Sequence, residues 1–300
     1  MRSKLFGPLF IGIAAVLWAT DALFRFPTAS EISPTAIVFS EHLIGVLFLF
    51  PLVFLTARKE LMKFSTAEWM VLSLIGVGGS GFATILFTAS FKLINPTVSI
   101  LLQKLQPVLV VIIAYLFLGE RPQKKFFLWA AVALGSAFVL SFREFNLGAI
   151  RSDISLRHRG VIFALSSSAL WAVAIVAGKY VLKRHSPRVV TFWRYFFGLW
   201  GVFVWIQIAG ISVPWRHLTT PRISESLIYM SLFPGVAAML AYYAGLARTR
   251  ASTAAFVELI FPVSAVLLNW KFLGAPLGWA QILASGVLLY SVTQISIKSE

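Results

Sequence analysis

Residues 7–20, GPLFIGIAAVLWAT, are answered by residues 160–173, GVIFALSSSALWAV. Gly7 and Leu17-Trp18 stand 153 residues before Gly160 and Leu170-Trp171, and the same displacement carries Ser33-Pro34 and Phe39 onto Ser186-Pro187 and Phe192. Further along, Pro107 and Phe117-Leu118-Gly119 recur 155 residues later as Pro262 and Phe272-Leu273-Gly274. The chain reads as two similar halves, residues 1–148 and 160–300, with a linker over 149–159 inside the longest polar stretch, 142–159. Two similar halves imply a binding site between them.

Composition decides the medium. With 59% hydrophobic residues, 12% charged and a mean hydropathy of +0.85, the chain has too little polar surface to cover a water-soluble globule of 300 residues. A helix of about 20 apolar residues crosses a hydrocarbon core of about 30 Å. Ten such segments are predicted: Leu5–Phe24, Thr35–Thr56, Trp69–Phe91, Pro96–Leu118, Lys125–Ser141, Gly160–Leu182, Val189–Ala209, Ile223–Leu246, Ser252–Leu273 and Leu277–Ile297. The expected fold class is an all-α polytopic membrane protein of ten transmembrane helices. The first helix follows Arg2 and Lys4 as a signal peptide would. Its counterpart in the second half cannot be cleaved away, so it is read as retained.

Five helices per half is an odd number, so the second half must lie upside down relative to the first. Inverted repeats are a common construction of secondary transporters, because the two halves can exchange conformations around one midplane site. Lys and Arg in short loops set the orientation. An N-terminus inside places fourteen of them in the cytoplasm and eight outside, Arg25 among the latter. Both termini are therefore expected to be cytoplasmic, in the plasma membrane (the inner membrane of a bacterium).

A net charge of +15 raises the question of nucleic acid. The basic residues are spread over membrane-flanking loops with no aromatic-interleaved basic domain, so anionic lipid is the expected partner and nucleic acid is not. The absence of cysteine excludes disulfides, zinc-thiolate sites and thiol catalysis. No GxxxxGK[ST] occurs, so no ATP-hydrolysing engine is visible in the chain and no ATPase subunit is implied. Neither HExxH nor adjacent aspartates are present to support an intramembrane enzyme, the competing class. No cofactor or metal is expected.

Ionisable side chains inside a bilayer are costly, about 2.5–3.5 kcal/mol at the centre on insertion scales, and usually face a cavity or a partner. Within the predicted helices these are Asp21, Glu41, Lys104, Lys179, Arg194 and Glu258, with His42 beside Glu41. Asp21 and Lys179 lie near helix ends and are read as able to snorkel. In the ninth helix Ala251, Ala254, Ala255, Glu258, Pro262, Ala265 and Asn269 form one stripe of small and polar residues that should face protein. The fourth helix carries Gln103, Gln106 and Pro107 in the corresponding places, Gln103 matching Glu258. Trp18 and Trp171 fall near the midplane, where tryptophan is unusual. They are candidates to stack on a solute, with Tyr242, Tyr243, Thr84, Phe87 and Thr88 completing the wall. Lys104 and Arg194 are candidates for an anionic group and Glu258 for a cationic one. Glu41, His42 and Glu258 are candidates for proton coupling, and Pro107 and Pro262 for kinks that gate. Each also admits a plain structural reading: Glu258 pairing with Lys104, the tryptophans packing helices, the histidine buried. The run Gly76-Val77-Gly78-Gly79-Ser80-Gly81 permits close helix approach or a hinge.

Asn95-Pro96-Thr97-Val98-Ser99 through Gln106-Pro107 to Phe117-Leu118-Gly119-Glu120-Arg121-Pro122 resembles the hallmark of EamA-type transporters in the drug/metabolite transporter superfamily. Ala251-Ser252-Thr253-Ala254-Ala255 through Glu258 and Pro262 to Phe272-Leu273-Gly274 resembles its second copy. Leu17-Trp18-Ala19, Leu170-Trp171-Ala172 and Arg194-Tyr195 are similar to further family motifs, and the resemblance covers nearly all of the chain. It implies a ten-helix metabolite carrier, closest to the bacterial exporters of aromatic and other neutral amino acids, working by alternating access. Efflux of lipophilic cationic drugs is the alternative. Two departures stand out: Glu41 occupies the first-half place of Arg194, and Gly274-Ala275-Pro276 replaces the usual Gly-Glu-Arg.

Overall fold

A computed structural model of the chain describes residues 2–106, 108–109, 112–113, 116, 124–140, 150–246, 257–258 and 260–298. Among them lie α1 (Arg2–Glu31), α2 (Pro34–Ala57), α3 (Thr66–Ser90), α4 (Pro96–Gln103), α5 (Lys124–Leu140), α6 (Ile150–Leu182), α7 (Pro187–Ile208), α8 (Pro221–Leu246), α9 (Ile260–Leu273) and α10 (Trp279–Lys298). Six of these contain spans long and apolar enough to cross a membrane among the described residues.

Local chemistry starts the helices. Ser33 accepts a hydrogen bond from the Ala36 amide at 3.2 Å and Pro34 occupies the first turn; Asn95 and Pro96 open α4 in the same way, with Thr97 N 2.8 Å from the Asn95 side chain. A capped residue followed by proline satisfies one orphan amide and omits another. At α3, Ser65 and Glu68 form a reciprocal capping box. Outward, Leu47, Leu55, Leu267, Trp270 and Leu283 are largely exposed, an apolar surface that suits acyl chains and not water.

Packing repeats across the halves. α1 lies against α8 and α9, while α6 lies against α3 and α4; α7 packs on α3 and α2 on α8; α2 meets α7 and α5 meets α10. Each pairing maps onto itself or another when the halves are exchanged. Both α3 and α8 carry a π-helical segment, Ile75–Phe82 and Ser231–Ala237. A β-carbon on Gly76 would press on the Arg194 carbonyl and the Gly198 amide, so glycine is what lets α3 and α7 touch backbone to backbone. The glycine-rich run therefore both packs and changes helical register.

Two sequence expectations need correction. The first helix was expected to end at Phe24, leaving Arg25 in an outer loop; α1 instead continues to Glu31 with Arg25 buried. Its charge is compensated inside the bundle, so it has no need of water. Asp21, expected to snorkel, is one of the compensating groups. The stretch 150–159, read above as linker, is helical, since α6 begins at Ile150; polarity excludes it from the bilayer core but not from a helix.

The two ends of the bundle are each tied across the halves. Where α1 meets α2, Glu31 pairs with Arg222 at 3.1 Å and His217 at 3.7 Å. At the other end of α2, Glu68 lies 3.2 Å from His185 and 3.9 Å from Arg184.

Candidate functional site

One cavity gathers polar residues from both halves. α1 contributes Trp18, Asp21 and Arg25; α2 Glu41 and His42; α3 Ser80, Thr84 and Phe87; the end of α4 Gln103, Lys104 and Gln106. The second half adds Trp171 and Ile175 from α6, Arg194 and Tyr195 from α7, Pro234, Gly235, Met239, Tyr242 and Tyr243 from α8, and Glu258 and Phe261 at α9.

Arg25 anchors one side. Its Nε and Nη2 donate to Asp21, Nη2 and Nη1 donate to Glu41 at 2.6 and 3.1 Å, and Nη1 donates to Thr88 Oγ1 at 2.9 Å. One cation held by two carboxylates is compensated without solvent. Across the axis, Arg194 has only neutral acceptors among the described residues: Nη1 to Tyr243 Oη at 3.1 Å, Nη2 to the Gly79 carbonyl at 3.1 Å, and Nε to Ser80 Oγ at 3.4 Å. Glu41 and Arg194 occupy equivalent positions, and each meets the π segment of the other half: Ser231 Oγ donates to the Glu41 carbonyl at 2.7 Å.

His42 turns away from its neighbour Glu41. Nδ1 lies 2.8 Å from the Val38 carbonyl, which can only accept, so Nδ1 carries a proton. Nε2 lies 2.9 Å from Ser80 Oγ. With Arg194 donating to that same hydroxyl, the arrangement Arg194 to Ser80 to His42 completes itself with a neutral imidazole. The expected Glu41–His42 relay has no direct contact here.

The aromatic wall has two groups of touching rings. Trp18 lies 5.1 Å from Tyr242 and 6.4 Å from Phe261, and Trp171 lies 5.2 Å from Phe87, centroid to centroid. Glu258 accepts from Tyr242 Oη at 2.7 Å, while the Lys104 ammonium sits 4.5 Å from the centre of Phe261. These are the direct contacts of the two residues, whose opposite charges attract without closing to an ion pair.

α4 breaks at the cavity, and a turn at Glu258 precedes α9 there. Lys104 N bonds to the Leu101 carbonyl and Leu105 N to Leu102, three residues back, and Phe261 N bonds likewise to Glu258. Short turns of that kind end the α-helical ladder where Gln103 and Glu258 face inward. Broken helices at membrane depth are tolerated where they line a cavity. Beyond the turn at Glu258, Pro262, Ala265 and Asn269 are buried, so the described part of the small-residue stripe faces protein. Pro107 and Ala251–Ala255 lie outside the described residues; Pro262 does not line the cavity, although its neighbour Phe261 does.

The EamA-like transporter family matches the chain twice, over residues 5–142 and 158–297. The chain belongs to that family. This EamA transporter is a multi-pass membrane protein, and the relatives it resembles are named as transporters. Riboflavin transporter ImpX of Fusobacterium nucleatum subsp. nucleatum is 27% identical over 301 residues, covering 99% of both chains. The uncharacterized transporter YwfM of Bacillus subtilis is 22% identical over 96% of this chain and 93% of its own. A solved crystal structure at 19% identity superposes with a TM-score of 0.66 over 95% of this chain and 94% of that one, a likeness of fold.

Arg25 and Phe261 are among the lining residues that the sequence reading did not name as site residues. The spacing Asp21 to Arg25, one helical turn, was the available signal; a fixed boundary at Phe24 hid it.

Proposed function

We propose that this EamA transporter carries a flat aromatic solute of zero net charge, with riboflavin the first candidate. The aromatic wall around a charge-balanced lining carries the reading: Trp18, Phe87, Trp171, Tyr242 and Phe261 surround the space, and Asp21, Glu41 and Glu258 offset Arg25, Lys104 and Arg194. A lipophilic cation would meet Lys104 and Arg194 as repulsion, which disfavours cationic-drug efflux. A phosphorylated solute would need a lining of positive sign. Full-length similarity to a riboflavin transporter supports the flavin reading. In this scheme Trp18 and Trp171 stack on the ring, Gln103, Lys104, Arg194, Tyr243 and Glu258 meet polar groups, and Glu41 with Glu258 are the carboxylates available for proton coupling.

The second reading is export of aromatic and other neutral amino acids, with the ammonium at Glu258 and the carboxylate at Lys104 or Arg194. The observation that favours it is volume: about 200 Å³ is small among ligand cavities and takes one aromatic side chain more readily than three fused rings. Either solute is moved by alternating access between two five-helix halves, 1–148 and 160–300, in inverted orientation with both termini cytoplasmic. The exchange of packing partners between halves supports that arrangement, and Pro107 and Pro262 remain its candidate kinks.

Counterflow in proteoliposomes decides between them. Liposomes preloaded with riboflavin should accumulate labelled riboflavin, and unlabelled tryptophan or a lipophilic cation should not compete. Exchange of labelled tryptophan without riboflavin exchange would select the amino-acid reading instead.

A further inference from the structure

The broken end of α4 leaves polar capacity in the cavity wall unused. The helix stops at Gln103, Lys104 takes φ −72° and ψ 1°, and Ser168 Oγ of α6 holds the Gln103 carbonyl at 3.1 Å. This fixes the backbone of two consecutive residues whose side chains both line the cavity. Gln103 Oε1 accepts no hydrogen bond among the described residues, a state folded proteins rarely leave uncorrected, so the carboxamide is free to turn its oxygen toward the cavity that its side chain lines. Next to it Lys104 is 8% exposed, with the face of Phe261 under its ammonium. Glu258, by contrast, is already engaged by Tyr242.

A carboxamide presents an acceptor and a donor side by side, the complement of a ring edge on which N–H adjoins C=O, and an ammonium adds a second donor. We infer that Gln103 and Lys104 read the lactam or imide edge of a flat heteroaromatic solute. The inference rests on the flavin reading above, because the isoalloxazine ring of riboflavin carries an imide edge, one N–H between two carbonyls, and an aromatic amino acid has none. Gln103 accepts from the ring N–H, donates to one carbonyl, and Lys104 donates to the other. The rings then lie toward Trp18 and Trp171.

The test changes the ligand first and the protein second. Riboflavin and its N3-methyl derivative, which carries a methyl group in place of the imide N–H donor, are titrated against the purified full-length protein by quenching of flavin fluorescence. The wild type should prefer riboflavin by about tenfold or more, the loss expected when a buried acceptor goes unpaired. Gln103→Leu should weaken riboflavin and abolish the preference, whereas Lys104→Met should weaken both ligands and preserve it. Equal binding of the two flavins by the wild type, or a preference that survives Gln103→Leu, overturns the edge reading while leaving the flavin reading in place. No binding of either flavin overturns both. The wild-type comparison requires no variant to fold.

Discussion

Removing the guanidinium of Arg25 should damage the fold more than removing all three charges of its cluster. Arg25→Met deletes two bonds to Asp21, two to Glu41 and one to Thr88, and leaves two carboxylates with side-chain exposures of 14% and 7% facing each other. Breaking a buried ion pair by deleting one partner costs about 3–5 kcal/mol, most of it from the charge left behind. That range applies here, because both carboxylates lose their cation together. Replacing the whole cluster, Asp21→Asn with Arg25→Met and Glu41→Gln, removes the stranded charge and should recover most of the loss. Unfolding by denaturant in a fixed detergent, followed by tryptophan fluorescence, measures the two variants against the wild type. If Arg25→Met is within about 1 kcal/mol of wild type, or the triple variant is no more stable than the single one, the cluster does not hold the bundle as the buried geometry requires.

Three further outcomes are expected. Gly76→Ala should destabilise the protein by about 1–3 kcal/mol, since its β-carbon would press on the α7 backbone; the same unfolding assay reads it, and a neutral result would mean α3 and α7 are less tightly apposed. Trp171→Ala should reduce counterflow of a flat aromatic solute at least tenfold through loss of a stacking face, with a smaller effect on any non-aromatic substrate; equal loss for both would assign Trp171 to packing alone. Tyr242→Phe removes the hydroxyl that Glu258 accepts from, and the lost hydrogen bond should cost about 1–3 kcal/mol of stability or binding. Thermal stability and solute titration together would detect that cost, and its absence from both would show that Glu258 finds water instead.

The sequence made much of this legible, for physical reasons. Trp18 with Trp171 and Gln103 with Glu258 could be paired because duplication keeps equivalent positions at nearly constant displacement, and both pairs line one cavity. The cost of a charge in lipid flagged Glu41, Lys104, Arg194 and Glu258 before any geometry was available. What stayed hidden depended on three-dimensional partners. Arg25 reads as a loop cation until Glu41, on the next helix, is brought to 2.6 Å. His42 reads as a neighbour of Glu41, yet consecutive residues on a helix point in different directions, and its partner is Ser80. The π segments leave no hydrophobic periodicity to find; glycine marks both places, with Pro234 added in the second, without saying which helical register results.

The end ties have a consequence for assembly. Glu31 and Glu68 both belong to the first half, while Arg222, His217, His185 and Arg184 all belong to the second. Under the 153–155-residue correspondence Glu31 answers to Arg184 and Glu68 falls beside the counterpart of Arg222. Two copies of the first half docked in this geometry would therefore set acid against acid at each rim, and two copies of the second would set base against base. Duplication normally begins with interchangeable parts; here the parts have become complementary, so that separately synthesised fragments would choose each other over themselves.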